Sequence, residues 1–145
     1  MRSGEKSILV VDDDETVLLV FKEILLSKGY RVDTAETGTE AIEKSKTRYY
    51  NLALLDIRLP DMSGTELLTR MHGAKPKMVK IMVTGYSSLD YDIEAVNKGA
   101  DAYLTKPVKP DSLLKVVEEK MRKQEEADRK TKEKVTKYTE ARTEA

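Results

Sequence analysis

The sequence predicts an α/β domain built on a doubly wound, five-stranded parallel sheet. Short runs rich in Val, Ile and Leu alternate with longer stretches of helical periodicity, the pattern of strands buried on both faces and of the helices that cover them. The alternation repeats five times, as consecutive βα units joined by right-handed crossovers require.

The first strand is read at Ile8 to Val11. A helix from Glu15 to Lys28 follows, with Val17, Leu18, Phe21, Ile24 and Leu25 on one face and Gly29 supplying the left-handed position that ends it. Arg31 to Ala35 is the second strand, and Thr39 to Lys46 the second helix, with Ala41 and Ile42 turned inward. Leu52 to Asp56 is the third strand; the third helix, Ser63 to Met71, is led by Ser63 or Gly64 near its cap. Lys80 to Thr84 is the fourth strand, and Ser87 to Lys98 the fourth helix, closed by Gly99. Ala102 to Leu104 completes the sheet. Asp111 then caps a fifth helix, Ser112 to about Arg122, whose Leu113, Leu114, Val116, Val117 and Met121 form a stripe for burial.

Composition narrows the function classes. At 145 residues there is room for one globular domain and a tail, read as residues 1–122 and 123–145. Lys plus Arg equals Asp plus Glu at 26 each, so no bulk basic charge argues for nucleic acid. The absence of cysteine removes disulfides, thiolate metal sites and cysteine nucleophiles together. No apolar run approaches the ~20 residues of a spanning helix, and a cytoplasmic protein is expected.

In an open parallel sheet the chemistry belongs at the carboxyl ends of the strands. Strand one runs into Asp12, Asp13 and Asp14, strand three ends in Asp56, strand four in Thr84 and Gly85, and strand five is followed by Lys106 and Pro107. Crowded carboxylates repel one another unless a cation neutralises them, so Asp12, Asp13 and Asp56 together call for a hard divalent metal, which Mg²⁺ suits best. Asp56 is then placed to attack phosphorus and carry an aspartyl phosphate, with the Lys106 ammonium and the Thr84 hydroxyl stabilising the phosphoryl oxygens. Taken singly, each feature reads as a turn or a cap. Their convergence on one sheet edge is what independent turn roles do not predict.

These residues resemble the receiver domains of two-component response regulators. Ile-Leu-Val-Val-Asp-Asp-Asp at 8–14, Leu-Leu-Asp-Ile-Arg-Leu-Pro-Asp-Met-Ser-Gly at 54–64, Val-Thr-Gly-Tyr at 83–86 and Gly-Ala-Asp-Ala-Tyr-Leu-Thr-Lys-Pro at 99–107 are similar to that family's successive signatures, in order and spacing, over roughly residues 5–122. The resemblance implies a flavodoxin-like strand order 2-1-3-4-5. It implies that Asp56 is the phosphoacceptor and that Asp12, Asp13, Asp56 and the Arg58 backbone carbonyl hold Mg²⁺. Thr84, Gly85 and Lys106 would form the phosphate site, Thr84 and Tyr103 a conformational switch, and Lys106–Pro107 a cis turn. Arg58 and Tyr86, bulky residues beside the path of attacking water, are expected to slow hydrolysis of the aspartyl phosphate, while Gly85 leaves room for a phosphodonor.

The expected partner is a sensor histidine kinase, with an unidentified output protein or a second copy docking through the fourth helix, fifth strand and fifth helix. The chain would be a switch and not an enzyme beyond its own phosphorylation and dephosphorylation. The alternatives are a phosphate sink or phosphorelay intermediate and, from another class, an aspartyl-phosphate hydrolase.

His72, the only histidine, has no partner in these motifs and is expected at the surface. The segment after Arg122 is dense in Lys and Glu at i,i+4 spacing, with Val135 and Tyr138 its substantial apolar residues. It is expected to continue the fifth helix or to be partly disordered. It lacks the pattern of a helix-turn-helix, so the sequence is read as a stand-alone receiver without a DNA-binding output.

Overall fold

The structure, a computed structural model, describes residues 5–85 and 98–144. Its elements are β1 (Ser7–Val11), α1 (Glu15–Leu26), β2 (Arg31–Ala35), α2 (Gly38–Thr47), β3 (Leu52–Asp56), α3 (Gly64–Ala74), β4 (Val79–Thr84), β5 (Ala102–Thr105) and a C-terminal helix, α4 (Pro110–Glu144). All strand pairs are parallel, in the order β2-β1-β3-β4-β5. Four helices lie among the described residues. The helix expected over Ser87 to Lys98, and Tyr86 before it, fall on 86–97, outside them.

Alternation along each strand produces two cores. Ile8 and Val10, Leu52 and Leu54, Ile81 and Val83 face Leu18, Phe21 and Leu25 of α1 and Leu113, Val117 and Met121 of α4. The intervening Leu9, Val11, Ala53, Leu55 and Met82 face Ala41 of α2 and Leu67, Leu68 and Met71 of α3. Each fully buried leucine contributes about 2 kcal/mol. Because β1, β3 and β4 bury both faces, each carries a continuous apolar stretch, Ile8 to Val11, Leu52 to Leu55 and Ile81 to Val83.

Helix boundaries follow local chemistry. Asp14 caps α1, its carboxylate accepting from the backbone N–H of Thr16 and Val17, and Gly29 takes φ 86° just after that helix. Ser63 caps α3 through the Glu66 N–H. The last helix departs from expectation. It begins at Pro110, so Asp111 lies in its first turn and is not its cap; Pro at the first helical position loses no hydrogen bond because that N–H is unpaired in any helix.

α4 also runs far past Arg122. Gln124 fastens it to the sheet, donating to the carbonyls of Asn51 at 2.9 Å and Lys77 at 3.0 Å and accepting from Asn51 Nδ2 at 3.3 Å. Beyond it Val135 and Tyr138 are exposed.

Lys80 is fully buried in β4, its ammonium donating to the carbonyls of Lys75 and Met78, both at 2.7 Å, and lying 3.4 Å from His72 Nδ1. His72 is exposed, as expected, yet its ring packs so closely on Gly99 that a Cβ there would stand 2.6 Å from it.

Candidate functional site

Parallel topology carries the ends of β1, β3, β4 and β5 to one edge, and the singled-out side chains arrive with them. Asp12, directly after β1, is buried, with its N–H bonded to the Ala35 carbonyl at 3.0 Å and its Oδ1 accepting from the Asp14 N–H at 2.9 Å. Asp56, the last residue of β3, is 7% exposed, whereas Asp13 faces solvent. Carboxylate oxygens of Asp12, Asp13 and Asp56 lie within 4.8 Å of one another, the geometry of a group able to share a cation.

Lys106 reaches this cluster from the loop after β5. Its Nζ donates to Asp12 Oδ2 at 2.8 Å and stands 3.6 Å from Asp56 Oδ1. The Lys106 N–H bonds the Thr84 carbonyl at 2.7 Å, and the Lys106–Pro107 peptide is cis, as expected. Burial draws the ammonium's pKa down, but its hydrogen bond to Asp12 and the charge of Asp56 outweigh it, and the net shift is upward.

Asp56 moves the other way from an ordinary carboxylate. Burial first, and then the charge of Asp12, raise its pKa to about 6, against the pull of Lys106 and of the Arg58 and Ile57 N–H groups. One ammonium between two buried carboxylates leaves the pocket short of positive charge. All-oxygen donors with a deficit of this sign fit a hard divalent cation.

The remaining candidates sit around that centre. Thr84 ends β4 fully buried, opposite Thr105. Among the described residues nothing would touch a Cβ on Gly85 within 4 Å. Tyr103 is half-buried on β5, level with Met82 and against the α2–α3 face. Arg58 is exposed, and its backbone forms an antiparallel bridge with Ser63.

Two residues have roles here that sequence reasoning did not assign. A Cβ on Gly64 would lie 2.1 Å from the Asp56 carbonyl oxygen and 2.6 Å from Ile57 Cα, so only glycine lets α3 start this close to the end of β3. Asp61 reaches across to α2, accepting from the N–H of Gly38 at 2.9 Å and of Thr39 at 2.8 Å and from Thr39 Oγ1 at 2.5 Å. The Thr39 hydroxyl and these amides pull its pKa down to about 2. The sequence signal for Gly64 is a glycine soon after a strand-ending aspartate; for Asp61 there is none, because its partners lie more than 20 residues away.

Residues 8–118 match the family model described as the response regulator receiver domain. The chain belongs to that family. A CheY-like response regulator receiver domain protein from Methanospirillum hungatei JF-1 is 49% identical, with a TM-score of 0.84 over 86% of this chain and 99% of that one. A response regulator from Burkholderia pseudomallei, solved with a phosphorylated aspartic acid, calcium ion and citrate, is 31% identical, with a TM-score of 0.73 over 76% of this chain and 65% of that one. The transcriptional regulatory protein ZraR of Klebsiella oxytoca is 40% identical over 112 residues, which are 77% of this receiver's chain and 25% of ZraR.

Receiver domains are phosphoryl-accepting signalling domains that take their phosphoryl group from histidine kinases and bind Mg²⁺ at an acidic cluster, and this receiver has such a cluster in Asp12, Asp13 and Asp56. The comparisons correct the reading of a stand-alone regulator without DNA-binding output. Curated relatives include transcriptional regulators, and the chain spans a quarter to 57% of the length of these relatives. That reading rested on the composition of the tail, which describes only those residues and not what accompanies a receiver. No helix among the described residues is long and apolar enough to cross a membrane.

Proposed function

We propose that this receiver accepts a phosphoryl group on Asp56 from the phosphohistidine of a sensor kinase and passes the resulting change to an output element through β5 and α4. The observation that carries the proposal is the Asp56 carboxylate itself. It is buried at a strand end, raised to about 6 by Asp12 and by burial, and still within 3.6 Å of an ammonium.

In this reading one Asp56 oxygen attacks phosphorus, the donor's P–N bond breaks, its imidazole leaves with the electron pair, and an acyl phosphate remains on Asp56. Asp12, Asp13, Asp56 and the Arg58 carbonyl would hold Mg²⁺, which supplies positive charge to the transferring phosphoryl oxygens. Lys106 turns from Asp12 toward a phosphoryl oxygen. Thr84 donates its hydroxyl to another, and Gly85 leaves the approach open. The Burkholderia neighbour, with a phosphorylated aspartic acid and a calcium ion, supports the same pairing of acceptor and divalent cation here.

The movement of Thr84 is then read by Tyr103, which exchanges one rotamer for another against the α2–α3 face. Arg58 slows hydrolysis by crowding the path of water. Residues 1–122 form the receiver, and the charged extension from 123 is fastened to it by Gln124. A second copy or an output element docks on β5 and the first turns of α4.

The test is intact-protein mass spectrometry after exposure to acetyl phosphate and Mg²⁺. Wild type should gain one phosphoryl group and Asp56→Asn none; equal uptake by both would place the acceptor elsewhere.

A further inference from the structure

The loop from Ile57 to Ser63 connects β3 to α3 and carries Arg58. Its two ends are held together, by the Arg58–Ser63 bridge and by the Gly64 N–H bonded to the Ile57 carbonyl at 2.7 Å. An open cleft of about 510 Å³ is lined by Ile57 to Ser63 and Thr65. Between those ends the loop is tied to a neighbouring element through Asp61.

Asp61 fastens it to the first turn of α2. Its Oδ1 takes the Gly38 N–H and its Oδ2 takes both the N–H and the hydroxyl of Thr39. Thr37 caps the same helix from within its own segment, through the Glu40 N–H at 3.0 Å. The amides of Gly38, Thr39 and Glu40 are therefore all satisfied, two of them from a distant loop. Met62 adds a second clasp, its side chain lying within 2.5 Å of where a Gly38 Cβ would be.

The same stretch of chain holds the other side of the acidic pocket. The carbonyl of Ala35, three residues before Gly38, accepts the Asp12 N–H. The segment from Ala35 to Thr39 is thus bonded through Ala35 to the Asp12 backbone and through Gly38 and Thr39 to the loop bearing Arg58. It spans the two loops that the proposed function asks to close on one cation. Asp61 is no member of the acidic cluster, and its two oxygens are already engaged by three donors.

We propose that Asp61 is a positioning residue of the cation site, setting the separation of the Arg58 loop from Asp12 by way of the α2 N-terminus. This rests on the reading of Asp12, Asp13, Asp56 and Arg58 as the Mg²⁺ site and deepens it. Linkage makes the effect reciprocal: if the Asp61 bonds favour cation binding, the cation strengthens the Asp61 bonds. Residues that orient a metal's ligands from behind change its affinity roughly 10- to 100-fold.

The experiment is Mg²⁺ titration by calorimetry on the full chain, for wild type, Asp61→Ala, Thr39→Val and Thr37→Ala, with amide hydrogen exchange of Gly38 and Thr39 followed with and without Mg²⁺. Asp61→Ala should weaken Mg²⁺ about tenfold. Thr39→Val keeps the Asp61 charge, deletes one donor, and should weaken Mg²⁺ by roughly threefold or more. Thr37→Ala removes a cap from the same helix without freeing the loop, and its affinity should stay within about twofold of wild type. In wild type, Mg²⁺ should slow exchange at Gly38 and Thr39. The inference is overturned if folded Asp61→Ala binds like wild type, if Thr37→Ala weakens binding as much as Asp61→Ala, or if Thr39→Val is unaffected, which would reduce Asp61 to a remote charge. A wild type that binds no Mg²⁺ would overturn the cation site and this inference with it.

Discussion

The Lys106 ammonium donates to Asp12 at 2.8 Å, tying the loop after β5 to the end of β1 across the width of the acidic pocket. Asp12 is 4% exposed at its side chain and Lys106 26%, so the pair is shielded enough for its charge to matter. Replacing Lys106 with Met leaves Asp12 and Asp56 without their cation. The metal-free protein should lose about 1–3 kcal/mol in urea unfolding, and the Asp56 pKa should climb beyond about 6 in a carboxyl ¹³C titration. Mg²⁺ should bind more tightly to Lys106→Met, because no ammonium competes for Asp12, while phosphoryl uptake slows. Weaker Mg²⁺ binding in the variant would contradict this view of the pocket.

Asp56 also links stability to pH. Its folded pKa of about 6 exceeds the ordinary 3.8, so between those values the native state binds the proton that the unfolded chain has released. Stability from this group is full below 3.8, declines as pH rises toward 6, and stays lost above. Asp56→Asn does not titrate. Without Mg²⁺ it should match wild type near pH 4 and exceed it by about 2 kcal/mol at pH 7, a gap that saturating Mg²⁺ closes. Parallel urea titrations at the two pH values check it, and equal stability at pH 7 would refute the assignment.

Gly64 offers a purely steric test. A methyl group there would meet backbone at 2.1 Å, and backbone cannot turn aside as a flexible side chain can. Gly64→Ala should cost at least about 2 kcal/mol and weaken Mg²⁺ binding by displacing Asp56. The equivalent change at Gly85, where the described surroundings are open, should leave stability near wild type.

Gln124 should govern how much of α4 behaves as part of the receiver. Deleting its bonds to Asn51 and Lys77 with Gln124→Ala should cost about 1 kcal/mol. It should also accelerate amide exchange along 125–140 more than along 112–121. Uniform exchange across both stretches would show that the extension holds itself.

The sheet and the centre of the site are legible in the sequence for one reason. Asp12, Asp56, Thr84 and Lys106 each stand at or just past a strand end, and a parallel sheet brings strand ends together whatever the loops do. What is not legible depends on partners distant in the chain. Asp61 looks like a loop aspartate until α2 is beside it, and Gly64 like an ordinary cap glycine until the Asp56 carbonyl is 2.1 Å from its absent Cβ. Lys80 looks like a charge opening a strand, and only folding supplies the Lys75 and Met78 carbonyls that let it be buried. Asp111 competes as a cap with Pro110 as a first helical residue, and the proline wins. The sequence leaves α4 past Arg122 between a continued helix and partial disorder because pairs such as Glu126–Lys130, at 3.3 Å on the surface, each contribute only a few tenths of a kcal/mol.

The most direct measurement is the rate of phosphoryl uptake from acetyl phosphate, followed by intact mass with and without Mg²⁺, for wild type and Asp56→Asn. The account predicts one phosphoryl group per wild-type chain, dependence on Mg²⁺, and none on the variant. Uptake by Asp56→Asn, or undiminished uptake by wild type after Mg²⁺ is removed, would contradict it.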